Sequence, residues 1–365
     1  MSLLIATPLS KPDIGGPATH VAMLEELLKE RGVAHTIVSF REVRHLKPGV
    51  RHLVYMWRLW KAAGTARRLY ALDASSVGLP ALIVARLRRV PLIVRIAGIT
   101  AWELGVEREQ VHVLLDEFLQ RPAIYPFSVR LRLWIERLVL SRAERIIVPS
   151  EYFKTVVVSL GGIGEGKIEV VYSGFTPKHD AHVLTENRET GFILSAGRLM
   201  PWKGFRALIE AVARVRTRFP SAHLAILGDG PQRDDLERLV ITHDAGEYIK
   251  LIGTVSQDEM QQYLASARLF VLNTGYEGLS HQLLEVMDAG VPIITTPMGG
   301  NRELLEDRKE GLLVSYNDVG ALEEAIFEVL VDAKLAQILA YNAYRKAREF
   351  SNNTSADKLL KLLGV

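Results

Sequence analysis

LFVLNTGYEGLSHQLLEVMDAGVPIIT, residues 269–295, is the stretch whose reading decides the fold. Leu269-Phe-Val-Leu272 is a short, continuous apolar run of the kind a fully buried strand needs, and residues 291–295 form another behind a Gly-Val-Pro turn. Between them lies a helix entered through Gly278 and Ser280. A strand that delivers a glycine to a helix N-terminus presents backbone N–H groups and the positive end of the helix dipole, which suits a phosphate. Glu277 at the mouth of that helix and Glu285 on its body stand eight positions apart. Carboxylates repel a phosphate, so these two are available for hydroxyl groups such as those of a sugar. His281 shares a face with Glu285 at i, i+4 and either reaches the same place or caps and packs the helix.

The same rhythm extends outward in both directions. Apolar runs at 192–196, 223–227, 249–252 and 312–315 flank the opening stretch, and others stand at 3–6, 35–39, 69–72, 91–96 and 145–149. Amphipathic segments such as 18–31 and 129–141 separate them. Alternation of this kind predicts an α/β chain with parallel sheets covered by helices, here two of them, with ligands at the carboxyl ends of the strands. The polar, aperiodic residues 173–190 read as the linker, and a last helix near 336–350 is followed by polar residues and a short leucine-rich tail.

Composition agrees with two domains of ordinary size, since 365 residues with 48% hydrophobic content exceed one compact core. Without cysteine, disulfides and thiolate metal sites are excluded. The most apolar region, 77–101, is interrupted by Arg86, Arg88, Arg89 and Arg95, and the N-terminus lacks a signal-peptide pattern, so a cytoplasmic protein is expected. The net charge of +3 hides an asymmetry. Residues 1–172 carry 24 Lys and Arg against 16 Asp and Glu, while the remainder carries 21 against 26. The basic half either meets a negatively charged surface or acceptor, or its arginines solvate helix faces. Residues 51–70, RHLVYMWRLWKAAGTARRLY, mix aromatic and basic side chains and read either as a helix lying on an anionic membrane or as one packed on its own sheet. No nucleic-acid partner is expected.

Several loops carry candidate ligand contacts. The first strand runs into a glycine-rich loop with Gly15 and Gly16 ahead of Pro17 and a helix, where glycine serves either close approach to a ligand or packing. FILSAGRLMPWKG, residues 192–204, places Arg198 and Lys203 beyond a strand end, either as a cation pair for a diphosphate leaving group or as solvated surface charges. The Gly-Asp-Gly-Pro turn containing Gly230 follows the next strand, and Thr254 and Val255 end the one after it, where backbone could read a base edge. Two decoys are set aside. Residues 161–167, GGIGEGK, have phosphate-loop spacing but are preceded by a helix and followed by Ile168 and a strand. His179 and His182 have a spacing a metal could use without a third ligand in sight, so no metal site is expected.

With these residues assembled, the chain resembles the retaining glycosyltransferases of family 4. The carrying segments are IGGPATHV at 14–21, SAGRLMPWKG at 195–204, ILGDGP at 226–231, the run from Tyr276 to Leu305, and EGLLV at 310–314. The resemblance implies a GT-B architecture, two Rossmann-like domains facing across a cleft, spanning 1–175 and 176–344, with a C-terminal helix of about 345–365 packing back on the first. It implies that Arg198 and Lys203 hold the diphosphate of a UDP- or GDP-linked sugar, Glu277 the sugar hydroxyls and Glu285 the ribose. Gly278, Leu279 and Ser280 would offer backbone N–H groups, Gly16 would approach the phosphate from the other domain, and Thr254 and Val255 would flank the base, with Gly230 in the neighbouring loop.

The implied reaction is metal-independent transfer with retention to a hydroxyl acceptor on a glycan, a lipid-linked or a small molecule, with no cofactor beyond the donor. The absence of any Asp-x-Asp agrees with this. Contact of the basic first domain with the inner membrane face is a further expectation. One departure stands out: many relatives carry His-Asp or Gly-Asp after the central strand of the first domain, and here Gly98-Ile99 occupies that place. Thr100, Glu103 or a main-chain group could substitute. The alternatives are a catalytically impaired nucleotide-sugar-binding subunit and a GT-B nucleotide-sugar epimerase.

Overall fold

The computed structural model describes every residue except Met1, Lys11, Pro12, Ile14, Gly15, Pro48, Glu109, Gln110, Ser173, Gly174, Thr176, residues 180–187 and Ser351, together with the side chains of Asn352, Asn353 and Thr354. Gly15, His182 and most of the expected linker therefore lie outside the described residues. Two compact units emerge, one of Met1–Ser173 with Asn353–Val365, the other of Gly174–Asn352.

The first unit runs β1 (Ser2–Thr7), α1 (Gly16–Glu30), β2 (Ala34–Ser39), α2 (Val50–Ala62), β3 (Arg68–Ala71), α3 (Gly78–Arg88), β4 (Leu92–Arg95), α4 (Thr100–Arg108), α5 (Leu115–Gln120), α6 (Phe127–Arg142), β5 (Arg145–Val148), α7 (Glu151–Ser159) and β6 (Ile168–Val170). Its strands form one parallel sheet in the order β2-β1-β3-β4-β5-β6. The second unit runs β7 (Phe192–Ala196), α8 (Phe205–Arg218), β8 (His223–Leu227), α9 (Arg233–Thr242), β9 (Ile249–Gly253), α10 (Gln257–Ser266), β10 (Leu269–Leu272), α11 (His281–Asp288), β11 (Ile293–Thr295), α12 (Asn301–Leu304), β12 (Leu312–Leu313), α13 (Val319–Val331) and α14 (Ala333–Ala347). Its sheet, also parallel, has the order β12-β11-β10-β7-β8-β9. α15 (Asn352–Leu363) closes the chain.

Continuous apolar runs become central strands because both faces are covered. All five residues of β7 and all four of β10 are buried. On α8, Phe205, Leu208, Ile209, Val212 and Val215 repeat with helical period and join Ile193, Ile226, Leu269 and Val271 in the second core. Each such side chain contributes roughly 1.5–3 kcal/mol on burial. In the first unit, Val21, Leu24 and Leu28 of α1 and Leu359, Leu360 and Leu363 of α15 pack on Leu3, Ile5 and Tyr70. Right-handed crossovers then put α2, α3 and α6 on the opposite face, where α2 touches α3 and α3 touches α6.

Three sequence expectations change. The amphipathic segment from Arg51 stops at Ala62, and Arg68, Leu69 and Tyr70 belong to β3, because the Gly64 region breaks the helix and the apolar run pairs with β1. The C-terminal helix expected over about 345–365 is narrower, α15 spanning Asn352–Leu363 with α14 ending at Ala347, and its leucines complete the first core. The strand expected at 312–315 pairs over Leu312–Leu313 alone. The rejected phosphate-like loop is explained: Lys167 Nζ donates to the carbonyls of Leu140, Ser141 and Ala143 at 3.0, 2.7 and 3.3 Å and so caps the C-terminus of α6.

Candidate functional site

The second sheet reverses direction between β7 and β10. From β7 the chain proceeds outward to β8 and β9, then returns to lay β10 on the other side of β7. At such a switch point the two following loops diverge to opposite sides and leave a crevice beyond the strand ends. The loop after β7 carries Arg198 and Lys203, and the loop after β10 carries residues 275–280. Topology therefore unites the two motifs that the sequence shows 74 residues apart.

The union is direct. Lys203 Nζ donates to Glu277 Oε1, with only 15% and 14% of the two side chains exposed. An ammonium has three donors, so two remain for an anion, and the second carboxylate oxygen of Glu277 remains for a hydroxyl. Arg198 is exposed on the same loop. The two loops are also joined through backbone, Gly275 N–H donating to Trp202 O at 2.7 Å.

Beneath them Asn273, 1% exposed, binds the turn at Gly204: its amide donates to Gly204 O at 2.8 Å and to Asn317 Oδ1 at 3.1 Å, and its oxygen accepts from Asn317 N–H at 3.1 Å. A Cβ on Gly204 would lie 2.4 Å from Asn273 O, and Gly204 has φ +54°, so glycine is required on both counts.

Ser280 caps α11, its Oγ accepting from Leu283 N–H at 3.2 Å. Gly278, Leu279 and Ser280 are buried just ahead of the helix, where the dipole favours negative charge. The shape of this loop is set from behind. Gly300 N–H donates to Glu277 O at 3.0 Å, and Cβ atoms on Gly299 and Gly300 would lie 2.0 Å from Glu277 O and 2.4 Å from Gly278 O. His281 begins the helix and is exposed.

Glu285, one turn on, is partly buried; burial raises its pKa, opposed by the hydrogen bond from Gln257 and by Lys178, while Asp288 adds to the rise. Gln257 Nε2 donates to Glu285 Oε1 at 3.3 Å. Gln257 is the first residue of α10, directly after Thr254, Val255 and the Ser256 cap, so this bond ties the loop after β9 to the carboxylate on α11. Thr254 is exposed and Val255 half-buried. Gly230 sits where a Cβ would be 2.7 Å from Leu199 N and O, which makes it a packing glycine between the loops after β8 and β7. Gly16 opens α1 in the first unit, and a Cβ there would meet nothing within 4 Å.

Sequence reasoning missed Asn273, Gln257 and the role of Gly299 and Gly300. The two glycines stand as a pair inside the run from Tyr276 to Leu305, but what they press against was not legible. His179 also acquires a partner, Nδ1 lying 3.1 Å from Asp288 Oδ2; Asp288 further accepts from Lys178 N–H at 2.8 Å and from Arg348. Among the described residues no group of three or more His, Cys, Asp or Glu is placed to hold a metal. In the first unit, the Glu103 carboxylate folds against Gly98, Oε1 lying 2.1 Å from where a Cβ there would stand. A groove of about 720 Å³ opens at the amino ends of β7, β8 and β9 beside Phe192, His223 and Tyr248, the end of a parallel sheet that lacks the switch-point loops.

Comparison with known proteins accords with this geometry. The family model for Glycosyl transferases group 1 matches residues 178–346, and that for a Glycosyl transferase 4-like domain matches residues 15–174. The lipopolysaccharide core biosynthesis glycosyltransferase LpsE of Rhizobium meliloti is 32% identical over 172 residues, covering 47% of this chain and 49% of its own length. A GDP-mannose-dependent alpha-(1-6)-phosphatidylinositol monomannoside mannosyltransferase of Mycobacterium tuberculosis is 33% identical over 149 residues, 38% of each chain. The chain spans about half the length of the curated relatives it matches. Among solved structures, Anabaena Alr3699/HepE in complex with UDP-glucose shares the fold, with TM-score 0.76, 19% identity and coverage of 100% of this chain and 99% of that one. Two family models, one over each unit, and a shared architecture lead to one conclusion: the chain belongs to the GT-B glycosyltransferases, in the family 4-like group.

Proposed function

We propose that this chain transfers a sugar, with retention at the anomeric carbon, from a UDP- or GDP-linked donor to a hydroxyl acceptor on a glycan, a lipid-linked or a small molecule. The carrying observation is the Lys203–Glu277 pair at the β7/β10 switch point, ahead of the capped start of α11. The bond between the anomeric carbon and the diphosphate oxygen breaks with its electron pair moving to the diphosphate. Arg198, Lys203 and the backbone of Gly278, Leu279 and Ser280 stabilise that charge. The acceptor oxygen bonds to the carbon from the same face, and its proton passes to a departing phosphate oxygen. Glu277, steered by Lys203, orients the sugar hydroxyls; Glu285, held by Gln257, takes the ribose; Thr254 and Val255 border the base. Two cations, Arg198 and Lys203, supply the positive charge this step requires, so the reading is metal-independent and needs no cofactor beyond the donor. In this reading Glu103, which lies against Gly98, substitutes for the acidic or imidazole group that many relatives carry there, and turnover is preferred to a binding-only subunit. The basic first unit is where contact with an anionic membrane is placed in this reading.

The test is a panel of UDP- and GDP-sugars offered with glycan, lipid-linked and soluble hydroxyl acceptors. Transfer from one donor with retained configuration is expected; neither transfer nor donor hydrolysis across the panel would refute the proposal.

A further inference from the structure

Of the sixteen exposed large hydrophobic side chains among the described residues, nine lie on α2, α3 and α6. They form stripes at helical spacing that point away from the core. Leu53, Trp57 and Trp60 line α2 opposite buried Tyr55 and Leu59; Ile83 and Leu87 line α3; Phe127, Leu131 and Trp134 line α6. Because α2 touches α3 and α3 touches α6 on one face of the sheet, the stripes are neighbours. All three exposed tryptophans of the chain are here, whereas Trp102 and Trp202 are buried.

The charge on this face is one-sided. The three helices carry three, two and four Lys and Arg, and their sole carboxylate, Glu136, is fully buried. Two cations stack on the indoles, Lys61 Nζ 3.7 Å from the Trp57 ring centre and Arg88 Cζ 3.8 Å from that of Trp60. Arg58 is neutralised by Glu42, but Lys61, Arg86, Arg130 and Arg137 are exposed and form no ion pair with a carboxylate among the described residues.

We infer that the outer face of α2, α3 and α6 docks on an anionic lipid surface. Interfacial indoles and aliphatic side chains seat at the headgroup level, while the surrounding cations meet anionic headgroups. A nucleic acid would use the cations but not the aliphatic stripes, and a second copy of this face would bring like charges together. This placement goes beyond a generally basic first unit by naming the surface, and it rests on neither the donor site nor turnover.

The experiment is flotation of the full chain with vesicles of phosphatidylcholine alone and of phosphatidylcholine with phosphatidylglycerol, read together with tryptophan emission and repeated at rising salt. Binding to the anionic vesicles with a blue shift is expected, weakened by salt. Arg86→Gln with Arg130→Gln should lower partitioning about fivefold for each cation removed. Trp57→Ser with Trp134→Ser should remove most of the blue shift, the buried Trp102 and Trp202 giving a constant background. Equal partitioning into neutral and anionic vesicles, undiminished binding by both variants, or a solution dimer that the tryptophan substitutions dissociate would each overturn the inference.

Discussion

Gly299→Ala probes the site from behind without removing a polar group. Gly299 has φ +59°, a conformation that costs a side-chain-bearing residue about 1–2 kcal/mol. Its new Cβ would stand 2.0 Å from Glu277 O and 3.0 Å from Glu277 N, well inside van der Waals contact, and a backbone carbonyl cannot rotate aside as a side chain can. Overpacking of this kind adds about 1–3 kcal/mol. The combined penalty, roughly 2–5 kcal/mol, must appear as lost stability of the second unit or as displacement of the Glu277–Ser280 loop that relieves it. For a unit of this size each kcal/mol lowers Tm by about 2–4 °C. The assay is thermal unfolding with and without UDP or GDP, together with titration calorimetry of whichever nucleotide binds. A fall in Tm of several degrees, a loss of at least about tenfold in nucleotide affinity, or both are expected. Gly16→Ala, with nothing within 4 Å of the new methyl and no positive φ, is the control and should change stability by less than about 1 kcal/mol. If Gly299→Ala is as silent as Gly16→Ala, the idea that Gly299 shapes the loop is wrong.

Other sites give independent checks. Burial pushes the Glu136 carboxyl from its ordinary 4.5 up to about 8, so between those values the folded chain holds a proton that the unfolded chain has released. Stability should then fall by about 1.4 kcal/mol per pH unit across that window, and Glu136→Gln should flatten the fall in denaturant titrations; an unchanged slope would contradict a buried, protonated Glu136. Asp288→Ala removes the acceptor for Lys178 N–H, His179 and Arg348; because Arg348 is 30% exposed, the cost should be about 2–3 kcal/mol rather than that of a fully buried pair, read by urea unfolding. Glu285→Gln should weaken nucleotide binding about tenfold by calorimetry, and equal affinity would remove Glu285 from the ribose role.

The strands of both units and several helices were legible in the sequence because buried parallel strands leave apolar runs and their helices leave a 3.6-residue period. Leu269-Phe-Val-Leu272 and Phe192 to Ala196 needed no structure to be read as strands. Strand order was not legible: nothing local to either segment says that β10 lies beside β7, and this adjacency alone brings Lys203 to Glu277. Residues that act through tertiary contact were invisible for the same reason. Asn273 is one polar residue after a strand until Gly204 and Asn317 are seen around it. Gln257 is a helix start until Glu285 lies beside it. That the Glu103 carboxylate lies against Gly98 was likewise not legible, because nothing local to either residue says which way the α4 side chain folds.

The most direct test of the account is turnover of Lys203→Ala on the donor that the wild-type chain uses, with Lys203→Arg alongside. If Lys203 stabilises the departing diphosphate and steers Glu277, the alanine variant should lose about 10²–10³ in kcat, the arginine variant should recover part of it, and nucleotide affinity should change far less than kcat. Wild-type turnover retained by Lys203→Ala would contradict the central claim.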